Sequence, residues 1–153
     1  MTRADVRILD ELQSNGRMSN QDLAEKVGMS TAACWRRVRQ LEESGIIKRF
    51  SAVLSKEKLN LNFCAFVQIT MGSYVKDSTE PFLDVVRERP EVVDCFVTTG
   101  DSDFIMRVVT EDIKSYNQFL EDFLFTLPQV SSLRSNIILN EVKEFAGLPL
   151  KVR

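Results

Sequence analysis

The chain has 153 residues, which suits one ordinary domain or two small ones, and its apolar share of 44% is enough to build a core. It has no histidine and its three cysteines form no CxxC pair, so His-based catalysis, a zinc site and a disulfide framework are not expected. The net charge of −2 argues, taken as a whole, against a nucleic-acid partner.

The charge is distributed unevenly along the chain. Residues 1–60 carry 11 basic and 8 acidic side chains, a net charge of +3, whereas residues 61–153 carry 9 and 14, a net charge of −5. The apolar pattern changes near the same point, and the polar stretch 55–62 predicts a linker. We therefore predict one domain at 1–54 and a second at 63–153, of which only the first has the charge of a nucleic-acid binder.

Three helices are predicted in the first half. Apolar residues at helical spacing predict a first helix from about Asp5 to Ser14 and a second that begins at a Ser19 cap. A third follows the Ser30 cap and runs to about Ser44. Because the turn between the second and third helices is very short, they must cross steeply, which is helix-turn-helix geometry.

The third helix has a basic outer face, which favours insertion into the DNA major groove. Residues 46–54 predict a short β-wing that places Lys48 and Arg49 near phosphate. Alternatively, the arginines only solvate an exposed helix, and Trp35 is equally compatible with DNA contact and with internal packing. Cys34 falls on the core side, where we interpret it as a small apolar residue rather than a redox sensor. The residues predicted to contact DNA are Ser30, Thr31, Ala32, Trp35, Arg36, Arg37, Arg39, Gln40, Lys48 and Arg49.

The second half predicts the element order β-α-β-β-α-β, which is typical of a ferredoxin-like fold with two helices on one face of an antiparallel sheet. Strands are predicted over residues 62–71, 92–98, 104–109 and 131–142, one helix from a Ser78 or Thr79 cap to Arg89 and another from Asp112 to Leu127. The helix residues predicted to face inward are Phe82, Val85, Val86, Ile113, Tyr116, Leu120, Phe123, Leu124 and Leu127.

Such a sheet leaves its second face uncovered, and an exposed apolar patch of that size usually marks an interface. Dimerisation through the sheet would cover this face and would supply two DNA-binding units for a palindromic site. The candidates for one face or the other are Phe63, Phe66, Val97, Ile105, Val108 and Ile138.

Several motifs keep a characteristic order and spacing along the chain. They lie at residues 8–12, 16–19, 23–30, 34–47, 90–92, 99–104 and 141–143. In these motifs the chain resembles the Lrp/AsnC (leucine-responsive, feast/famine) transcription regulators. The resemblance implies a winged helix-turn-helix that binds double-stranded DNA, followed by a ferredoxin-like domain that forms homodimers, often assembled into octamers. It also implies a small effector, usually an amino acid, without a cofactor, and a cytoplasmic, nucleoid-associated protein. No membrane partner is expected, because no apolar run approaches the ~20 residues that a membrane span needs.

The resemblance places the effector at a dimer–dimer contact beside the Gly-Asp-x-Asp hairpin. Gly100 allows close backbone approach, its neighbours offer N–H groups to an α-carboxylate, and Asp101 or Asp103 can accept from an α-ammonium. The same residues are good hairpin-turn formers, so a purely structural role stays open. The effector-binding residues carried over are Thr98, Thr99, Gly100, Asp101, Asp103 and Phe104.

The sequence therefore predicts an effector-responsive, sequence-specific transcription regulator. An effector-independent architectural DNA-binding oligomer is the alternative. A small enzyme is disfavoured, because the sequence offers no nucleophile beside a base and no phosphate-binding loop.

Overall fold

The structure is a computed structural model that describes residues 1–72, 79–144 and 147–152. None of the helices in these ranges is long and apolar enough to cross a membrane. The chain divides into two compact units, of which the second is Leu54–Glu141. The first unit combines Met1–Val53 with the C-terminal residues from Val142 onward, a return of the chain that the sequence pattern did not indicate.

Three helices build the first unit, as predicted. They are α1 (Arg3–Ser14), α2 (Asn20–Val27) and α3 (Thr31–Glu43). The predicted caps are confirmed, since the Ser19 hydroxyl accepts from the Asp22 N–H at 3.1 Å and the Ser30 hydroxyl accepts from the Ala33 N–H at 3.3 Å. Helix α1 begins earlier than predicted because Thr2 and Asp5 form a reciprocal capping box. The buried core of this unit consists of Ile8, Leu9, Leu23, Ala24, Val27, Cys34 and Leu41.

The predicted β-wing is not formed as strands in the single chain. Residues 46–54 form no strand, and Val53 is 94% exposed. A β-strand requires a neighbour to complete its hydrogen bonds, and none of the described strands pairs with this segment. The prediction of a strand here is therefore wrong for the isolated chain, although Lys48 and Arg49 still follow α3 directly.

The second unit confirms the ferredoxin-like arrangement. Its elements are β1 (Phe63–Met71), α4 (Glu80–Arg87), β2 (Val92–Val97), β3 (Phe104–Thr110), α5 (Ile113–Asp122) and β4 (Val130–Ile137). The sheet order is β2-β3-β1-β4, with every neighbouring pair antiparallel. Of the two predicted caps of α4, Ser78 lies outside the described residues, and Thr79 precedes the helix without a side-chain capping bond.

Alternation along the strands separates a helix-covered face from an open face. The covered face forms a core with the helices that includes Ala65, Val67, Ile69, Phe82, Phe104, Met106, Val108 and Tyr116. Two residues predicted to face inward, Val85 and Ile113, are exposed, while Phe119 is buried instead. Strand β4 ends at Ile137, earlier than predicted, because its paired register with β1 continues only to Ala65.

The open face of the sheet carries a mixture of apolar and charged residues. Phe66 and Phe96 are the large exposed side chains, at 39% and 54%. Beside them, Arg107 Nη2 lies 2.7 Å from Asp94 Oδ2 across the β2–β3 pair. Strand alternation places Ile105 and Ile138 on this face, whereas Phe63, Val97 and Val108 fall on the other.

Candidate DNA-binding surface and effector hairpin

Polar contacts fix the position of α3 against the two helices before it. Arg37 points back to α1, where its Nε lies 2.9 Å from Asp5 Oδ1 and its Nη2 donates to the Thr2 hydroxyl at 2.9 Å. Asn20 of α2 donates from Nδ2 to the Thr31 carbonyl at 3.0 Å, at the start of α3. Arg37 was predicted to contact DNA, but its guanidinium is engaged within the protein. The sequence pattern missed Asp5 and Asn20, since their contacts are tertiary.

The Asp5–Arg37 pair makes stability depend on pH. Burial raises the pKa of Asp5, but the hydrogen bonds from Thr2 and the positive charge of Arg37 outweigh it, so this pKa lies below its ordinary value of 3.8. A depressed pKa in the folded state means that Asp5 contributes stability above its unfolded pKa and loses it as the pH falls through the folded one.

Replacing Asp5 by asparagine is therefore expected to lower stability at neutral pH and to flatten its decline below about pH 4. The measurement is the urea midpoint between pH 3 and pH 7, followed by the fluorescence of Trp35, the single tryptophan. Asp10→Asn, at an exposed carboxylate on the same helix, is the control. An unchanged acid dependence in Asp5→Asn would contradict the assignment.

The outward side of α3 keeps its basic groups available. Arg36 is exposed and has no side-chain hydrogen bond or ion pair among the described residues. The Arg39 guanidinium lies 5.3 Å from the Trp35 ring centroid, with Nη2 3.5 Å from Glu43 Oε1. Gln40 is also exposed. These side chains, with Thr31 and Ala32 at the start of the helix, form a surface that can approach base edges and phosphates.

Trp35 satisfies both interpretations of its role. Its side chain is 52% exposed, and one side of it borders a groove shared with Met18 and Phe50. The other side borders a second groove, shared with Ala32 and Arg36 on the outer surface of α3. The ring therefore packs in part and also offers an apolar surface to a partner.

The cysteine on α3 has the buried position that was predicted for it. Cys34 is fully buried, and burial raises the pKa of its thiol, which opposes thiolate reactivity. In the part of the chain that the structure describes, no cluster of three or more His, Cys, Asp or Glu residues is placed to hold a metal ion.

The β2–β3 hairpin is held by its own hydrogen bonds. The Thr98 N–H donates to the Asp103 carbonyl at 2.9 Å, and the Thr98 hydroxyl donates to the Ser102 carbonyl at 2.8 Å. Gly100 has a φ of 112°, a conformation that L side chains rarely adopt, so a glycine is required at this turn. These contacts account for the shape of the hairpin without a ligand.

The two aspartates of the hairpin differ in their engagement. Asp103 Oδ2 accepts from the Met71 N–H at 2.7 Å, which ties the hairpin to the end of β1. The Asp101 side chain is exposed and makes no hydrogen bond or ion pair within the described ranges, while its carbonyl accepts from the Thr70 hydroxyl at 3.3 Å. Asp101 is thus the carboxylate that remains available to an ammonium group.

The other residues predicted for the effector site also include both exposed and buried side chains. Thr99 is exposed at the turn, together with Gly100. Phe104 is 2% exposed and packs against Phe82, with ring centroids 4.9 Å apart. In the single chain, the Phe104 side chain therefore supports the hairpin from the core and offers no surface to a ligand.

Two family models match the two parts of the chain. A model described as winged helix-turn-helix DNA-binding matches residues 1–48, and one described as Lrp/AsnC ligand binding domain matches residues 64–148. These matches cover the three helices with the basic outer face and the sheet domain with its hairpin.

Full-length relatives agree with this assignment. The leucine-responsive regulatory protein of Escherichia coli K12 is 35% identical over 153 residues, which is 100% of this chain and 93% of that protein. The structure of a transcriptional regulator–L-Met complex from Neisseria meningitidis has a TM-score of 0.93 and 36% identity, covering 97% of this chain and 96% of that one. An AsnC family regulator from Agrobacterium tumefaciens gives 0.92 and 36%, with 97% of each chain covered.

The two matched models combine a DNA-binding helix-turn-helix with a ligand-binding domain in this chain. Neither model describes an enzyme family. The chain belongs to the Lrp/AsnC family of DNA-binding, effector-responsive transcription regulators.

Proposed function

We propose that this protein is a homo-oligomeric regulator whose DNA binding changes when an amino acid occupies the hairpin at residues 98–104. The proposal rests on the difference between the two aspartates of the hairpin. Asp103 holds the turn, whereas the Asp101 carboxylate is exposed at its tip. An effector-binding role needs a charged group that the fold itself does not use.

An amino acid matches the chemistry of this hairpin. Its α-ammonium is a strong donor for the Asp101 carboxylate, and its α-carboxylate accepts from backbone N–H groups around Gly100. The similar Neisseria structure is a complex with L-Met, and several relatives are named leucine-responsive. We therefore infer an aliphatic or thioether amino acid as the ligand, bound where two dimers meet at the hairpin.

The DNA contacts of the proposal come from the exposed residues of α3 and the segment after it. Arg36 and Arg39 supply guanidinium groups for guanine edges or phosphates, and Gln40 supplies an amide. Lys48 and Arg49 follow α3 as exposed basic residues suited to the DNA backbone. Ser30 acts indirectly, because its hydroxyl caps α3.

Homodimerisation is proposed through the open face of the sheet. Phe66 exposes aromatic surface there on β1, between Arg107 of β3 and Asn136 of β4, and Phe96 does so on the edge strand β2, two residues from Asp94. Paired aromatic and arginine residues are typical of the centre of an interface. The tetramer of dimers is part of the same proposal, since the effector contact requires a second dimer.

Asp101→Asn is the direct test of the effector site. We expect L-Met or L-Leu at a hundredfold excess over Kd to stabilise the wild-type protein by about 2.7 kcal/mol and the variant much less. The unliganded variant should match the wild type, because Asp101 holds no contact of the fold through its carboxylate. The measurement is the melting temperature with and without each amino acid.

Asp103→Asn provides the matched comparison. It should lower the melting temperature even without ligand, because it weakens the acceptor of the Met71 N–H. An equal ligand response in Asp101→Asn and wild type would leave the hairpin as a turn only. No response of the wild type to any of the twenty amino acids would favour the architectural, effector-independent alternative.

A further inference from the structure

The end of α1 binds the backbone of a residue far along the chain. Gln13 Oε1 accepts from the Leu148 N–H at 2.5 Å, and Gln13 Nε2 donates to the Leu148 carbonyl at 3.2 Å. A side-chain amide presents an acceptor and a donor in one plane, so it can satisfy both backbone groups of a single extended residue. The Gln13 side chain thus pairs with the Leu148 N–H and carbonyl as the backbone of a neighbouring β-strand would.

The residues on either side of Leu148 fit the same place. Gly147 has a φ of 110°, and a Cβ there would lie 3.0 Å from Gln13 Cδ and Oε1, so that any larger residue would be strained and crowded. Leu150 is partly buried against the core of the first unit. The Leu148 side chain is 63% exposed, which means that its backbone, rather than its side chain, is bound.

We infer that α1 carries a docking site for an extended peptide of the pattern Gly-Leu-x-Leu, and that its occupant is the chain's own C-terminal segment (Gly147–Val152). Three independent features meet there: a paired amide, a position that only glycine fits and a leucine in the core. The docked segment is thereby part of the DNA-binding unit, although it follows the sheet domain in sequence.

Because the C-terminal segment belongs to the first unit, the chain passes between the two units twice. The chain leaves the DNA-binding unit at Val53 and returns to it at Val142, so the sheet domain is covalently joined to that unit at both of its ends. The docked segment contacts α1, and α1 positions α3 through the Asp5–Arg37 pair. Loss of docking should therefore destabilise the DNA-binding unit while the sheet retains its own core.

The test uses full-length variants and the fluorescence of Trp35, which lies on α3 and is the only tryptophan. Gln13→Ala and Leu150→Ala should each lower the midpoint of the Trp35 transition by about 4–8 °C. Leu148→Ala, at an exposed side chain in the same segment, should leave it unchanged. Deleting residues 147–153 should lower the midpoint at least as far, and Gln13→Ala should then cause no further change.

Two results would overturn the inference. One is a deletion variant with the wild-type midpoint; the other is a Gln13→Ala effect that persists in full after the deletion.

A separate cross-linking experiment tests which chain supplies the docked segment. Cysteines introduced at Ser14, the exposed neighbour of Gln13, and at Leu148 keep the Gln13 amide in place. They should join within one chain under a short thiol cross-linker and run as a monomer on a denaturing gel, with the wild-type chain and its three native cysteines as the control. A cross-linked dimer would show that a second copy supplies the segment, contrary to the inference.

Discussion

Replacing Arg36 by alanine is expected to weaken binding to a specific DNA site by about 1–3 kcal/mol, or about 5- to 150-fold, without changing the stability of the protein. The guanidinium is exposed on the outer side of α3 and has no partner among the described residues, so its removal costs the free protein nothing. If Arg36 contacts a guanine edge, discrimination at one base position should also be lost.

Arg37→Ala is the matched control, because it removes the same group one residue away. Its guanidinium bonds Asp5 and Thr2, and truncation leaves the Asp5 carboxylate buried without its counter-charge. We expect a loss of about 1–3 kcal/mol in the free energy of unfolding. The apparent DNA affinity of Arg37→Ala should fall only in proportion to the decrease in the folded fraction of the protein.

Fluorescence anisotropy with labelled DNA at several salt concentrations distinguishes these effects. A variant that loses one phosphate contact should reduce the slope of log K against log salt by about 1, whereas loss of a base contact should leave the slope unchanged. Unchanged affinity and footprint in both Arg36→Ala and Arg39→Ala would refute the assignment of α3. Wild-type stability in Arg37→Ala would refute its role against α1.

The contrast between these neighbours shows what the sequence could and could not predict. Helix ends were predictable at Ser19 and Ser30, because a cap depends on contacts three residues away. The direction of Arg37 was not, since it depends on Asp5, which lies on another helix. A basic run indicates a DNA-binding face, but only packing decides which of its members face outward.

The same limit applies to the rest of the fold and the effector site. Alternation of apolar residues was enough to predict the order of strands and helices along the chain, yet the end of β4 depends on how far its pairing with β1 continues. The hairpin was predictable as a turn, but the distinct roles of Asp101 and Asp103 follow from the Met71 N–H in another strand. The pairing of Gln13 with Leu148 spans 135 positions and left no local signal.

Phe66→Asp is expected to have the largest effect on assembly. Phe66 lies at the middle of β1 on the open face of the sheet, opposite Arg107 on β3. An aspartate there can meet water or Arg107 in the monomer, so the isolated fold should tolerate it. In a dimer that buries this face, the same carboxylate loses its hydration, and the apolar contact of the phenyl ring is also lost.

We expect Phe66→Asp to shift the protein from dimer to monomer in sedimentation equilibrium and to weaken binding to a palindromic site by about 10²–10⁴-fold, because the second half-site is no longer engaged within one complex. Binding to a single half-site should change little. Val85→Asp is the matched control. Val85 is 37% exposed and Phe66 is 39% exposed, but Val85 belongs to α4, on the side of the sheet that the helices cover, and not to the open face. If the Phe66→Asp protein remains dimeric, the open face is not the dimer interface. If it is monomeric but binds the palindromic site as tightly as the wild type, DNA affinity does not depend on dimerisation as proposed.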